Sequence, residues 1–234
     1  MRILAVGGHP DDVEFQCAGT LAKYKRLGHE VAIAVATNGE VGSPSLGKKE
    51  IAAIRKEEAA AAARTLGAEF YWMGHPDEFL FNNESVRLAF IDVVRQARPD
   101  LVICPNPTLD YHPDHTTTGQ IIWDIRIMVA VRNIQTAHPP TPAIPEIVYM
   151  DTVAVVNCIP NKFVDISEDI ETKKRMLACH KSQEAWMRHL NGMGCVELME
   201  SFARMRGYQC GCRFAEAFVI PAYWPRTAPK DGLL

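Results

Sequence analysis

Two short stretches of this chain carry the side chains that metal-assisted hydrolysis needs. They are His9-Pro10-Asp11-Asp12 and, about a hundred residues on, His112-Pro113-Asp114-His115. A catalytic zinc takes three protein ligands from histidine and carboxylate and leaves one position for water. His9, Asp12 and His115 supply such a set. Zinc lowers the pKa of its water to ~7, so a neighbouring carboxylate can act as base near neutrality; Asp11 suits that part. His112, three residues before a ligand, suits an acid that protonates a leaving amine or steadies an oxyanion. Asp114 could accept a hydrogen bond from an imidazole and fix its tautomer. Ferrous iron or another divalent metal is compatible with the same donors.

Each motif alone has a plainer reading. Asp11 with Glu14 three residues later resembles a helix start. Asp114 or Thr116 could cap the next helix, and His112 and His115 could lie on the surface. The pairing of the motifs at the ends of two strands is what favours the metal. No Gly-x-Ser-x-Gly elbow offers a serine nucleophile, and Gly7-Gly8 has neither the spacing nor the lysine of a phosphate-binding loop.

The elements that must position these residues follow from apolar periodicity. Strands are expected at 2–6, 31–36, 70–73 and 101–104, with helices at 13–27, 48–66, 84–97 and about 116–133. Such alternation with continuous apolar strands predicts a Rossmann-like, doubly wound, mostly parallel sheet with helices on both faces. Ligands in such sheets bind beyond the carboxyl ends of the strands, where the strand order reverses. With the first strand central and the fourth beside it, the two histidine motifs face each other across that crevice.

The second half is less regular. A proline-rich loop at 138–145 precedes strands near 146–156, a helix of about 168–187 capped by Ser167, a helix near 195–206 and a last strand at 214–220. The chain reads as a single domain over 1–234, with a Rossmann-like core of about 1–135 and a less regular part of about 136–234.

Composition narrows the classes. A net charge of −3 carries no signature of nucleic-acid binding. No apolar run approaches the ~20 residues that span a bilayer, and no charged leader with a long apolar core opens the chain. Seven scattered cysteines do not form a secreted disulfide framework; Cys210-Gly211-Cys212 lacks the spacing and the second pair of a structural zinc site. A reduced, cytoplasmic protein is expected, with no membrane partner. His75, His180 and the tryptophans are read as packing or loop residues, and Tyr223-Trp224-Pro225 as a possible subunit contact.

At these motifs the chain resembles the PIG-L/LmbE-like zinc-dependent N-deacetylases. The resemblance rests on Gly8-His9-Pro10-Asp11-Asp12 and His112-Pro113-Asp114-His115. Thr37-Asn38-Gly39-Glu40, Arg55-Lys56-Glu57-Glu58 and Pro76-Asp77 add to it. Phe163-Val164-Asp165-Ile166-Ser167, His180-Lys181-Ser182-Gln183 and Ala215-Glu216-Ala217-Phe218 look like the bacillithiol-pathway branch. The resemblance implies removal of an N-acetyl group from an N-acetylglucosamine-type amino sugar or conjugate. It implies His9, Asp12 and His115 as ligands, Asp11 as base, His112 as acid, Asp114 as an outer partner and Arg55 near the substrate. A homo-oligomer, trimer or hexamer, is also implied. Against Arg55 stands an exposed helix arginine paired with Glu58. Two departures bear on specificity: Tyr111 where that branch often has arginine, and Cys195 about where it can place a tyrosine. The alternatives are a metal-dependent amidase acting on a larger thiol-conjugate or antibiotic acyl amide, and a non-catalytic metal-binding protein.

Overall fold

A computed structural model describes residues 1–222; Tyr223-Trp224-Pro225 lies outside the described residues. The first half runs β1 (Arg2–Gly7), α1 (Asp12–Gln16), α2 (Ala18–Arg26), β2 (Glu30–Thr37), α3 (Lys48–Leu66), β3 (Glu69–His75), α4 (Glu84–Ala97), β4 (Leu101–Cys104) and α5 (Pro113–Ile125). The second half adds β5 (Glu146–Met150), β6 (Lys162–Asp165), α6 (Ile170–Leu177), α7 (Lys181–Asn191), α8 (Cys195–Cys210) and β7 (Ala215–Val219).

Among the described residues, all seven strands share one sheet in the order β3-β2-β1-β4-β5-β7-β6. Pairing is parallel from β3 to β5, and β7 lies antiparallel to both β5 and β6. The sheet is mostly parallel and α/β, as expected. Both faces are covered, which is why the strands read as unbroken apolar runs rather than alternating ones. Along β1, Ile3 and Ala5 pack under α2, α3 and α6, whereas Leu4 and Val6 pack under α4 and α5. Each fully buried Leu or Ile contributes ~1.5–3 kcal/mol.

The order β2-β1-β4 puts the reversal of winding between β1 and β4. Ile3, Leu4 and Ala5 pair with Leu101, Val102 and Ile103, so the segments leaving these two strands begin side by side.

Four expected elements differ, two of them where a distant side chain intervenes. The helix expected at 13–27 is broken at Cys17 into α1 and α2. There the Glu216 carboxylate of β7 accepts the N–H groups of Gly19 (2.8 Å) and Thr20 (2.6 Å), a cap supplied from almost two hundred residues away. Buried Lys173 of α6 pairs with the same carboxylate. The helix of about 116–133 starts earlier, with Pro113 in its first turn, and stops at Ile125. Beyond it, the guanidinium of buried Arg95 donates to the carbonyls of Met128, Val129, Val131 and Ile134 and takes up what a continuing helix would have satisfied. The helix of 168–187 is two, α6 and α7, parting at His180. Ser167 does not cap it but donates its hydroxyl to Asp165 (2.6 Å). Of the strands near 146–156 only β5 forms, followed by a short 3-10 turn at Val153–Val155. β6, which apolar pattern did not mark, exists through its pairing with β7. The 195–206 helix runs on to Cys210, and 138–145 holds no helix or strand.

Candidate metal centre and cleft

The turn after β1 is tight because it must be. A Cβ on Gly8 would stand 2.9 Å from the His115 ring and 3.2 Å from Asp12 Oδ2. Thr37, at the end of β2, fastens this turn by donating its N–H and its hydroxyl to Gly8 O, both at 2.8 Å. The chain then places Asp11 at φ 121°, ψ −21°, a conformation that costs an L-residue on the order of 1–3 kcal/mol. Neither Asp11 nor Glu14 forms the capping box of the plainer reading, for α1 has no side-chain cap.

The three expected ligands meet at the mouth of the β1–β4 crevice. His9 Nδ1 lies 3.0 Å from His115 Nε2 and 3.7 Å from Asp12 Oδ2, and His115 Nε2 lies 3.2 Å from the same oxygen. Ligands ~2.0–2.1 Å from one tetrahedral zinc stand a little over 3 Å from one another, so these spacings suit a common cation. The ring nitrogens on the far side meet carboxylates. His9 Nε2 is 3.0 Å from Asp77 Oδ1 and 3.4 Å from Asp114 Oδ2, and His115 Nδ1 is 3.3 Å from Asp110 Oδ2. Such outer carboxylates orient a ligating imidazole and raise its basicity.

Charge tells the same story. Asp12, Asp77, Asp110 and Asp114 surround the buried rings of His9 and His115. Burial opposes protonation of both rings. Yet the carboxylates of Asp114, Asp12 and Asp77 lift His9 well above the usual imidazole range, and Asp12 and Asp110 lift His115 to about 9. Burial likewise works against the Asp12 anion, but His115 and His9 hold it well below the carboxylate range. This is a pocket of excess negative charge with nitrogen and oxygen donors converging on one point, and it fits a divalent cation. His9, His112 and His115 also bring donor atoms within 4.8 Å of one another, as do His9, Asp77 and Asp114.

Asp11 lies beside this cluster. Burial raises its carboxyl against the pull of the Arg55 guanidinium. Arg55 is not the exposed partner of Glu58. It is 4% exposed, and its Nη2 donates to Pro10 O at 2.7 Å and reaches Asp11 Oδ2 at 3.4 Å. Gly39, at φ 64°, gives Arg55 room: a Cβ there would lie 2.7 Å from the guanidinium. Glu58 binds the main chain and hydroxyl of Ser182 instead.

His112 itself is the N-cap of α5. Its Nδ1 accepts the N–H of Asp114 (3.3 Å), which leaves the proton on Nε2, 3.2 Å from Glu78 Oε1. Burial and the nearby rings of His9 and His115 lower its affinity for a second proton. Asp114 accepts the N–H groups of Glu78 (2.7 Å) and Leu80 (3.4 Å), tying the β3 exit to α5.

Apolar pattern missed Asp77 and Asp110. Asp77 entered only with Pro76 in the family resemblance, without a role; its neighbour His75 stacks on Phe90. Asp110 lies two residues before His112, and only its reach to His115 gives it meaning. His180 is fully buried, 3.5 Å from Glu14. Cys195 is also buried, its thiol pushed up to about 12 by burial and the Asp11 charge. Tyr111 stands exposed at the rim.

A cleft of about 480 Å³ opens on Asp11, Asp12, His112 and His115, walled by α1, the 153–155 turn, α7 and α8. The family model described as PIG-L, GlcNAc-PI de-N-acetylase, matches residues 4–126, which contain both histidine motifs.

The chain belongs to the PIG-L family.

Among curated relatives, a diacetylchitobiose deacetylase of Thermococcus kodakarensis is 28% identical over 97% of this chain and 86% of its own length. A 4-oxalmesaconate hydratase of Pseudomonas putida is 26% identical over 77% of this chain and 73% of its own. Among solved structures, the N,N'-diacetylchitobiose deacetylase of Pyrococcus horikoshii, complexed with its inhibitor, superposes with a TM-score of 0.80. It is 29% identical and covers 93% of this chain and 82% of that one. Among the described residues, no helix of this PIG-L protein is long and apolar enough to cross a membrane.

Proposed function

We propose that the chain is a metal-dependent N-deacetylase acting on N-acetylglucosamine-type amino sugars or their conjugates. The observation that carries this reading is the convergence of His9 Nδ1, Asp12 Oδ2 and His115 Nε2 on one point beside a half-buried Asp11, at the floor of an open cleft. The deacetylase relatives support the reaction class. His9, Asp12 and His115 would hold the metal, with zinc the first choice and ferrous iron chemically acceptable. When bound, it supplies Lewis-acid polarisation of the amide carbonyl and acidifies water.

The chain's own groups do the rest. Asp11, half-buried and fixed by the Arg55–Pro10 hydrogen bond, takes the proton of the attacking water. Arg55 thus positions Asp11 from behind; it does not line the cleft. His112 presents Nε2–H towards the developing oxyanion, and the departing amine receives the proton that Asp11 took from the water, with His112 the group that hands it over. Asp77 and Asp114 orient His9, and Asp110 orients His115. Acetate and a free amine leave. A structural site would have no use for a carboxylate strained into place beside its ligands, which counts against a binding protein.

Among the described residues all seven strands lie in one sheet, which supports reading the chain, 1–234, as one domain. Its seven thiols are free, in keeping with a cytoplasmic setting. A homo-oligomer completes the proposal.

The test is metal analysis joined to amine release from N-acetylglucosamine and N,N'-diacetylchitobiose, with and without chelator. Chelator-sensitive release of equal acetate and amine is expected, as is loss of metal in His9→Ala and His115→Ala. A fully metal-loaded protein that frees no amine from either sugar would sink the reading.

A further inference from the structure

Beyond its reacting end the cleft changes character. Phe15 from α1, Val153 from the turn, Met187 from α7, and Leu198 and Phe202 from α8 line it, and each is only half-buried. An apolar surface of this kind left open beside a polar reacting centre marks the seat of an apolar ligand group. The other lining groups there are neutral. Gln16 and Gln183 donate their amide N–H to the Thr152 and Gly42 carbonyls, which leaves their amide oxygens to accept hydroxyls. Among the described residues that line the cleft, none is a lysine or arginine. Arg55 beside Asp11 is buried, absent from the lining, and its Nη1 and Nη2 donate to the Gly39 and Pro10 carbonyls. On this wall, away from the metal ligands, an anionic substituent would meet no lysine or arginine to answer it, which disfavours it.

We propose that the substrate carries, next to its N-acetyl amide, an uncharged apolar substituent, an aryl or alkyl aglycone, seated on the wall of Phe15, Met187, Leu198 and Phe202. This rests on the amide-hydrolase reading above and narrows its substrate class.

The experiment compares free N-acetylglucosamine, its phenyl glycoside and its 4-carboxyphenyl glycoside with the metal-loaded protein. Expected is a kcat/KM for the phenyl glycoside at least tenfold above the free sugar, and a loss of at least tenfold on adding the carboxylate. Phe202→Ala should collapse the phenyl-to-free-sugar ratio through KM. Leu198→Lys should reverse the penalty on the carboxylate, a gain that misfolding cannot mimic. Turnover of all three at equal efficiency, or preference for the carboxyphenyl glycoside by the unaltered protein, would overturn the proposal while leaving the deacetylase reading intact. Should none release amine, the deacetylase reading falls. The wall is then judged by calorimetric binding of phenyl glucoside against glucose, where equal or absent binding overturns it too.

Discussion

Asp11 holds an unfavourable backbone conformation because its neighbours over-determine it. The Asp11 carbonyl accepts the N–H of Phe15 (2.9 Å), and Arg55 pins the preceding peptide at Pro10 O. Strain held in this way belongs to placement of the side chain rather than to stability. Asp11→Asn keeps the shape and removes the base. It should retain stoichiometric metal and lose ~10²–10⁴-fold in kcat, the usual worth of a general base; wild-type turnover would refute the assignment. The outer carboxylates make a separate prediction. Asp77→Asn and Asp110→Asn should each weaken metal binding ~10–100-fold, the scale found when such partners are removed, as read by competition with a chromophoric chelator. Unchanged affinity in both would mean that the imidazoles are oriented by something else. Sequence made the donors legible because imidazole and carboxylate stand out in a motif. It marked Asp77 only as a family match without a role, and Asp110 not at all, since an aspartate at a strand exit gains its role only from the ring it faces.

Among elements, the turns after β1 and β4 matter more than any helix. Gly8 is the point where they touch. Gly8→Ala puts a methyl group 2.9 Å from the His115 ring, so the rings must part. The expected outcome is a folded protein with little change in circular dichroism and at least a tenfold loss of metal affinity; retention of wild-type affinity would show that the turn can give way. Helix ends were the least legible feature. Cys17, Ile125 and His180 interrupt or end helices whose local periodicity runs on, and two of these breaks lie where groups from elsewhere satisfy the backbone: Glu216 at Gly19 and Thr20, Arg95 at residues 128–134. Local pattern reports what a segment can bury. It does not report which carboxylate or guanidinium will arrive from β7 or α4.

Across the whole molecule, the strand order β3-β2-β1-β4 was readable from the alternation of apolar runs and helices, because a parallel sheet with right-handed crossovers leaves few other arrangements. The antiparallel edge, β7 between β5 and β6, was not, since short strands of mixed character are defined by their partners. A metal that binds the native centre and not the unfolded chain stabilises the fold by ~2.7 kcal/mol at a hundredfold excess over its Kd. At ~2–4 °C per kcal/mol for a chain of this size, stripping the metal should lower Tm by about 5–10 °C, measured by calorimetry with and without chelator. A Tm indifferent to the metal would place the ion outside the core of the fold.

His9 and His115 stand 106 residues apart in the chain, so an ion held by both is a clasp that closes a very long loop. Parallel pairing of β1 with β4 is non-local and slow to form, and the clasp can shut only after it. Such a late contact acts on the rate of escape rather than the rate of arrival. Loaded protein should therefore unfold more slowly in denaturant than stripped protein, while both refold at one rate. The ion that serves chemistry would then also set how long each molecule survives.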